Sequence, residues 1–146
     1  MIHADARTTI ARAPSDTFAA LLAFGDYPRW MEACVRLEQA SPGPLAVGAK
    51  LHYVHDTGGR EGEMEGVVVE LDGGRALRMK FEDSMFAVTV AHAIAPADRA
   101  TVVSHAIDIE LKSLMARLMT PIIRKGNERQ VVANLARLKR LLEAPR

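Results

Sequence analysis

The sequence predicts an α+β fold: an antiparallel sheet of about seven strands packed against one long C-terminal helix, with two short helices after the first strand. Three observations predict it. Seven segments alternate apolar and polar residues with the period of a half-buried strand. The separators between the later strands are short and rich in Gly, Pro or Asp, which suits hairpins rather than crossovers. After residue 111 the apolar period changes from that of a strand to that of a helix.

The first strand is "IHADARTTI", with Ile2, Ala4, Ala6, Thr8 and Ile10 on one side and His3, Asp5, Arg7 and Thr9 on the other. Pro14 halts it. Ser15 or Asp16 can then cap a helix in which Phe18, Leu21 and Leu22 recur at helical spacing before Gly25. A second short helix is expected over Tyr27 to Met31, with Asp26 as its cap and Pro28 in its first turn. Six strands follow: "ACVRLEQA", "AKLHYVHD", "EGEMEGVVVEL", "ALRMKFE", "MFAVTVAHAI" and "ATVVSHAIDIEL". They are divided by "SPGP", "TGGR", "DGGR", Asp83-Ser84 and "APADR". Thr120-Pro121 reads as a cap and a first-turn proline, which leaves 112 to 119 as a separate turn or short helix. Beyond it, Leu118, Ile122, Val131, Leu135, Leu138 and Leu142 trace an apolar stripe, so a helix is expected from about Pro121 to Glu143.

A chain of 146 residues fits one domain able to bury a core without disulfides or a structural metal. Its 49% hydrophobic and 25% charged residues suit a globular protein rather than a disordered one. The net charge of +1 gives no argument for a polyanionic partner, and no aromatic-basic strand pattern serves base stacking, so no DNA partner is expected. The distribution is uneven: Lys112 to Arg146 holds nine Lys or Arg against two Glu. That basic segment reads first as a solvated helix face; the alternative is a contact with lipid phosphate or RNA, as in a lipid- or ribosome-associated interaction protein. Cys34 is alone, which excludes an intramolecular disulfide and a thiolate cluster. The N-terminal stretch lacks the apolar core of a signal peptide, and no run reaches the ~20 apolar residues of a membrane span. A cytoplasmic location without stable membrane insertion is expected, as monomer or homodimer. There is no Gly-rich phosphate loop, no His-Glu-x-x-His helix and no nucleophile elbow.

The residues also carry a family likeness. "TTIARAPSDTFAALLAFGDYPRW", Gly48 ahead of the third strand, "GGREGEMEGVVVEL" and the closing "NLARLKRLLE" resemble the START/Bet v 1-like superfamily, and within it the polyketide cyclase/dehydrase branch. The likeness runs end to end, but its motifs are signatures of the fold and not of catalysis. It implies a helix-grip fold: a curved sheet grips the last helix around an apolar cavity that holds a small hydrophobic or amphipathic ligand. It also implies that Trp30 lies near a cavity end and that the Pro121 to Leu142 face is the gripping helix. Two activities are compatible with that likeness, a carrier or sensor and a cyclase or dehydratase, and the fold alone does not choose.

Candidate ligand-binding residues follow from the alternation. Tyr27 and the sole tryptophan, Trp30, stand where the period breaks, suited to closing the core or to forming one wall of a cavity. Met64, Met79, Met85, Met115 and Met119 fall at expected inward positions, where flexible thioethers suit alkyl or isoprenoid chains. Phe86, Val88, Val90 and His92 share one strand face, Val103 and His105 the same face of the next, and Ile122 opens the helix stripe. Tyr53 shares a face with His55, opposite His52. His92 and His105 are the candidate acid/base residues. A hairpin centred on Ala97-Asp98 makes them diagonal neighbours, roughly 7 Å apart at Cβ. They lack a third ligand, so no metal is expected, and no cofactor either.

Overall fold

In the computed structural model, which describes residues 1–145, seven strands form one antiparallel sheet in the order β1-β7-β6-β5-β4-β3-β2. These are β1 (Ile2–Ile10), β2 (Cys34–Gln39), β3 (Lys50–Thr57), β4 (Arg60–Asp72), β5 (Ala76–Glu82), β6 (Phe86–Ala97) and β7 (Ala100–Leu111). Helix α1 (Pro14–Leu22) and a 3₁₀ helix (Phe24–Arg29) lie between β1 and β2, and α2 (Leu114–Leu118) and α3 (Thr120–Glu143) follow β7. This is the helix-grip arrangement. Helix α3 runs chiefly against β1 and β7.

The alternation expected from the sequence is physical. Ile2, Ala4 and Ile10 of β1, Met64 and Val68 of β4, Leu77, Met79 and Phe81 of β5, and Val90 of β6 are all buried on the inner face. Glu61, Glu63 and Glu65 project from the other side of β4. The inner face is built close at Gly66, where a Cβ would lie 2.4 Å from the Phe81 ring. Gly66→Ala is expected to cost about 1–3 kcal/mol, because a methyl there forces the ring aside. Gly73→Ala, where nothing lies within 4 Å of the added atom, should stay within about 0.5 kcal/mol. Urea unfolding of both variants checks this, and relief of the Gly66→Ala defect by Phe81→Leu would identify the ring as the cause.

Several local expectations are corrected. Neither Ser15 nor Asp16 caps α1; Ala13 precedes it in extended conformation and Pro14 occupies the first turn, where its missing N–H costs nothing. The second short helix is a 3₁₀ segment that starts three residues early and ends at Arg29, because Trp30 leaves helical geometry. Helix α3 begins at Thr120, whose hydroxyl donates back to the Arg117 carbonyl at 2.7 Å instead of capping. The buried stripe of α3 is Asn127, Val131, Asn134, Leu135 and Leu138, so Leu118 and Ile122 fall outside it and are exposed.

The β6–β7 hairpin turns at Asp98-Arg99, one residue later than expected, with Ala97 opposite Ala100 and Arg99 at φ 56°. Pro96 stays within β6 because β5 has already ended: its last partner is Ala93, so no β5 carbonyl needs the missing N–H. The shift changes the register. His92 and His105 stand directly opposite each other, not diagonally.

Candidate functional site

Strand alternation brings His92 and His105 to the inner face of β6 and β7, between Ala6 of β1 and Leu77 of β5 in one row across the sheet. Their rings stack with centroids 5.0 Å apart and planes at 21°. The 3₁₀ helix and the residue that ends it cover them. Trp30 lies 5.5 Å from the His92 ring and 5.9 Å from that of His105, and Tyr27 lies 4.8 Å from Trp30. The Tyr27 hydroxyl donates to the Leu21 carbonyl at 2.6 Å and thereby ties this cover to the end of α1. Neither Tyr27 nor Trp30 has accessible surface.

Asn134 supplies the direction of the hydrogen bonds. The Glu32 amide donates to Asn134 Oδ1 at 3.0 Å, which turns the Asn134 Nδ2 toward His105 Nε2, 3.1 Å away. An amide N–H in that position makes Nε2 the acceptor, so His105 carries its proton on Nδ1. His105 Nδ1 then donates to His92 Nδ1 at 3.2 Å, and His92 must carry its proton on Nε2. There the relay ends: His92 Nε2 is buried without a partner, and so is the indole Nε1 of Trp30. Two adjacent aromatic side chains thus each bury an unmatched N–H donor. A third orphan, Asn127 Oδ1, sits on α3 seven residues before Asn134, its Nδ2 donating to the Ile107 carbonyl at 3.0 Å.

Both imidazoles are neutral. Burial pushes His105 down to about 4, and burial reinforced by its histidine neighbour pushes His92 well below the ordinary range. Neither makes a hydrogen bond to a carboxylate. Asp108, on the outer face of β7, bonds instead to His3, which also meets Asp5 Oδ2 at 2.6 Å. Burial likewise lifts the Cys34 thiol to about 12, which leaves it inert as a nucleophile. Among the described residues no three His, Cys, Asp or Glu converge as a metal site, and no helix is long and apolar enough to cross a membrane.

The expected ligand-binding residues separate into three groups. Tyr27, Trp30, His92, His105 and the neighbouring Val90 and Val103 form the buried cluster. Met64 and Met79 are buried farther along the sheet, where Tyr53, Phe86 and Val88 are only half-buried. Tyr53 packs edge-on to Phe81 at 5.1 Å and to His55 at 5.7 Å. Met115, Met119 and Ile122, placed inside by the sequence pattern, are exposed, as is Met85. The reason is that Ala116 takes the inward position of α2 and turns its long side chains outward. One cleft of about 490 Å³ opens beside Trp30, between Asp26 and Arg29 on one wall and Leu138, Leu141 and Leu142 on the other. A second, of about 270 Å³, is lined by Asp5, Arg7, Glu70 and Arg78. Asn134 and Asn127 were not among the sequence candidates. Their signal was two asparagines seven residues apart within the apolar stripe of α3.

Comparison with known proteins places this geometry. The model of a family described as polyketide cyclase / dehydrase and lipid transport matches residues 1–143. Similar solved structures include a START superfamily protein from Mycobacterium smegmatis, at 14% identity and TM-score 0.82 over 98% of each chain. A protein from Thermus thermophilus is similar at 15% identity and TM-score 0.80 over 97% of each chain. The di-domain ARO/CYC BexL from the BE-7585A biosynthetic pathway is similar at 14% identity and TM-score 0.72, over 99% of this chain and 48% of that one. At these identities the likeness is one of fold. A search of curated proteins gave no match.

Proposed function

This chain belongs to the polyketide cyclase / dehydrase and lipid transport family, and we propose that it acts as a single ligand-binding domain for a small, largely apolar molecule carrying one hydrogen-bond-accepting oxygen. The observation that carries the reading is the pair of unmatched N–H donors on His92 and Trp30. A buried donor without an acceptor costs about 1–3 kcal/mol, and a carbonyl or hydroxyl oxygen seated between them would recover it. Val90, Val103, Met79 and Met64 are packed in the core, so the apolar body of the ligand would lie against them, and extend toward the half-buried Tyr53, Phe86 and Val88, once that packing opens. Tyr27 and Trp30 are closed over the histidines, so entry requires the 3₁₀ segment to move. The same burial argues for binding over cyclase chemistry. An imidazole pair held neutral, with no carboxylate to orient it, is suited to donating a hydrogen bond rather than to cycling a proton near pH 7.

Titration with n-alkanes and the matching alkan-2-ones, followed by the fluorescence of the one tryptophan, tests this reading. Affinity should rise with chain length by up to about 0.8 kcal/mol per methylene until the space is filled. Each ketone should bind about 1–3 kcal/mol more tightly than its alkane. His92→Leu should reduce the ketone preference to what the Trp30 indole N–H alone supplies, and His92→Gln, which keeps an N–H donor, should retain more of it. Equal affinity for ketone and alkane, or no binding of either, would refute the proposal.

A further inference from the structure

Five large exposed apolar side chains are gathered where β7 gives way to α3. Leu114, Met115, Leu118, Met119 and Ile122 expose between 46% and 77% of their surface. The cause is local. Ser113 Oγ accepts the Ala116 amide at 3.0 Å and starts α2, and Ala116, 1% exposed, is the side chain that packs inward. With so small a residue on the packing side, α2 lies close to the sheet, and positions 114, 115 and 118 are turned away from it. The Lys112 amide donates to the Met85 carbonyl at 2.8 Å and brings the exposed Met85 to the same end.

A basic rim adjoins this patch. Arg117, Lys125 and Arg129 are exposed, and none has an ion-pair partner among the described residues. Lys125 and Arg129 follow Ile122 by three and seven residues and so share its side of α3. Lys112 is different, being held by Glu82 Oε2 at 3.3 Å and by the Asp83 carbonyl at 2.9 Å. Glu128 is the one acidic residue between 112 and 129.

We propose that this surface docks the protein on an anionic lipid bilayer. Leu114, Met115, Leu118, Met119 and Ile122 enter the boundary between headgroups and acyl chains, and Arg117, Lys125 and Arg129 meet lipid phosphates. The charge selects this occupant. A second copy related by a two-fold axis would bring the basic rim against its own image, where like charges repel. An anionic bilayer supplies both an apolar layer and a facing sheet of negative charge. The inference rests on exposed residues alone and does not depend on what the interior binds.

Co-sedimentation of the full chain with phosphatidylcholine vesicles, with and without about 30 mol% phosphatidylglycerol, tests it. Binding should favour the anionic vesicles and weaken as salt is raised. Lys125→Glu/Arg129→Glu should reduce it by on the order of a hundred-fold, and Met115→Asp/Leu118→Asp by at least roughly ten-fold. Val35→Asp, at an exposed apolar residue of β2, should leave it unchanged. Because all these side chains are exposed, circular dichroism and melting should show each variant folded. Binding that ignores lipid charge, or survives both double substitutions, would overturn the proposal. So would the absence of vesicle binding together with a dimer, or a complex with RNA or an acidic protein, that Met115→Asp/Leu118→Asp disrupts.

Discussion

Leu135→Ala is expected to lower the free energy of unfolding by about 2–5 kcal/mol. Leu135 is 2% exposed and lies in the buried stripe of α3 between Val131 and Leu138, both also closed to solvent. Truncation removes apolar area from the interface of α3 with the sheet and leaves a cavity that packed strands cannot collapse into. The neighbouring Asn134 makes relaxation harder still. Any shift of α3 toward the cavity stretches its bonds to Glu32 and His105. Leu118→Ala is the control, chemically the same change at a residue 77% exposed, and should stay within about 0.5 kcal/mol. Urea unfolding followed by circular dichroism measures both. A cost below about 1 kcal/mol at Leu135 would mean that α3 does not use this face to close the core.

That contrast between two leucines of one apparent stripe marks where the sequence could be read and where it could not. Alternation with a period of two located all seven strands to within a few residues, since each strand buries one face and wets the other. It failed at Leu118, Met119 and Ile122, because a helical period shows only that residues share a face. Whether that face meets the sheet depends on where the packing begins, and here it begins at Asn127. Hydrophobic patterning is likewise blind to buried amides, so the stripe passed over Asn127 and Asn134, which fix α3 to β7 and orient His105. The histidine pair was legible as a shared face but not as a contact. Placing the turn one residue early moved the register by two, enough to turn a stacked pair into a diagonal one. Only the hairpin geometry, with Arg99 at positive φ and Pro96 retained in the strand, settles that register. The unmatched donor on His92 could not be inferred at all, because it follows from three-dimensional bonding that starts at the Glu32 backbone amide.

Acidification from about pH 6.5 to about 4.5 is expected to destabilise the protein by about 2 kcal/mol through His105 alone, and further through His92. The sign follows from the protons each state binds. In the unfolded chain His92 and His105 titrate near the ordinary 6.5, whereas folding holds His105 at about 4 and His92 lower still. Between these values the unfolded state binds protons that the folded state refuses, so stability rises with pH. The contribution is fully present above about 6.5 and is lost as pH falls toward the folded values. Glu82 and Glu143, whose carboxyls are lowered by Lys112 and by the Ala11 amide respectively, push in the same direction but at more acidic pH. His3 works oppositely: Asp5 and Asp108 raise it, so its contribution is present in acid and fades as pH rises through its raised value. Its imidazole is half exposed, which makes that term small. The slope above about pH 4.5 therefore belongs to the buried pair. Urea unfolding across this range should show a slope that is reduced in His105→Gln and nearly absent in His92→Gln/His105→Gln, even if both variants begin less stable. Proton NMR of the imidazole C–H signals offers a reading that needs no variant. Resonances assigned to His92 or His105 that move with an ordinary midpoint near 6.5 in the folded protein, or an acid slope that persists in the double variant, would show that burial does not keep these histidines neutral.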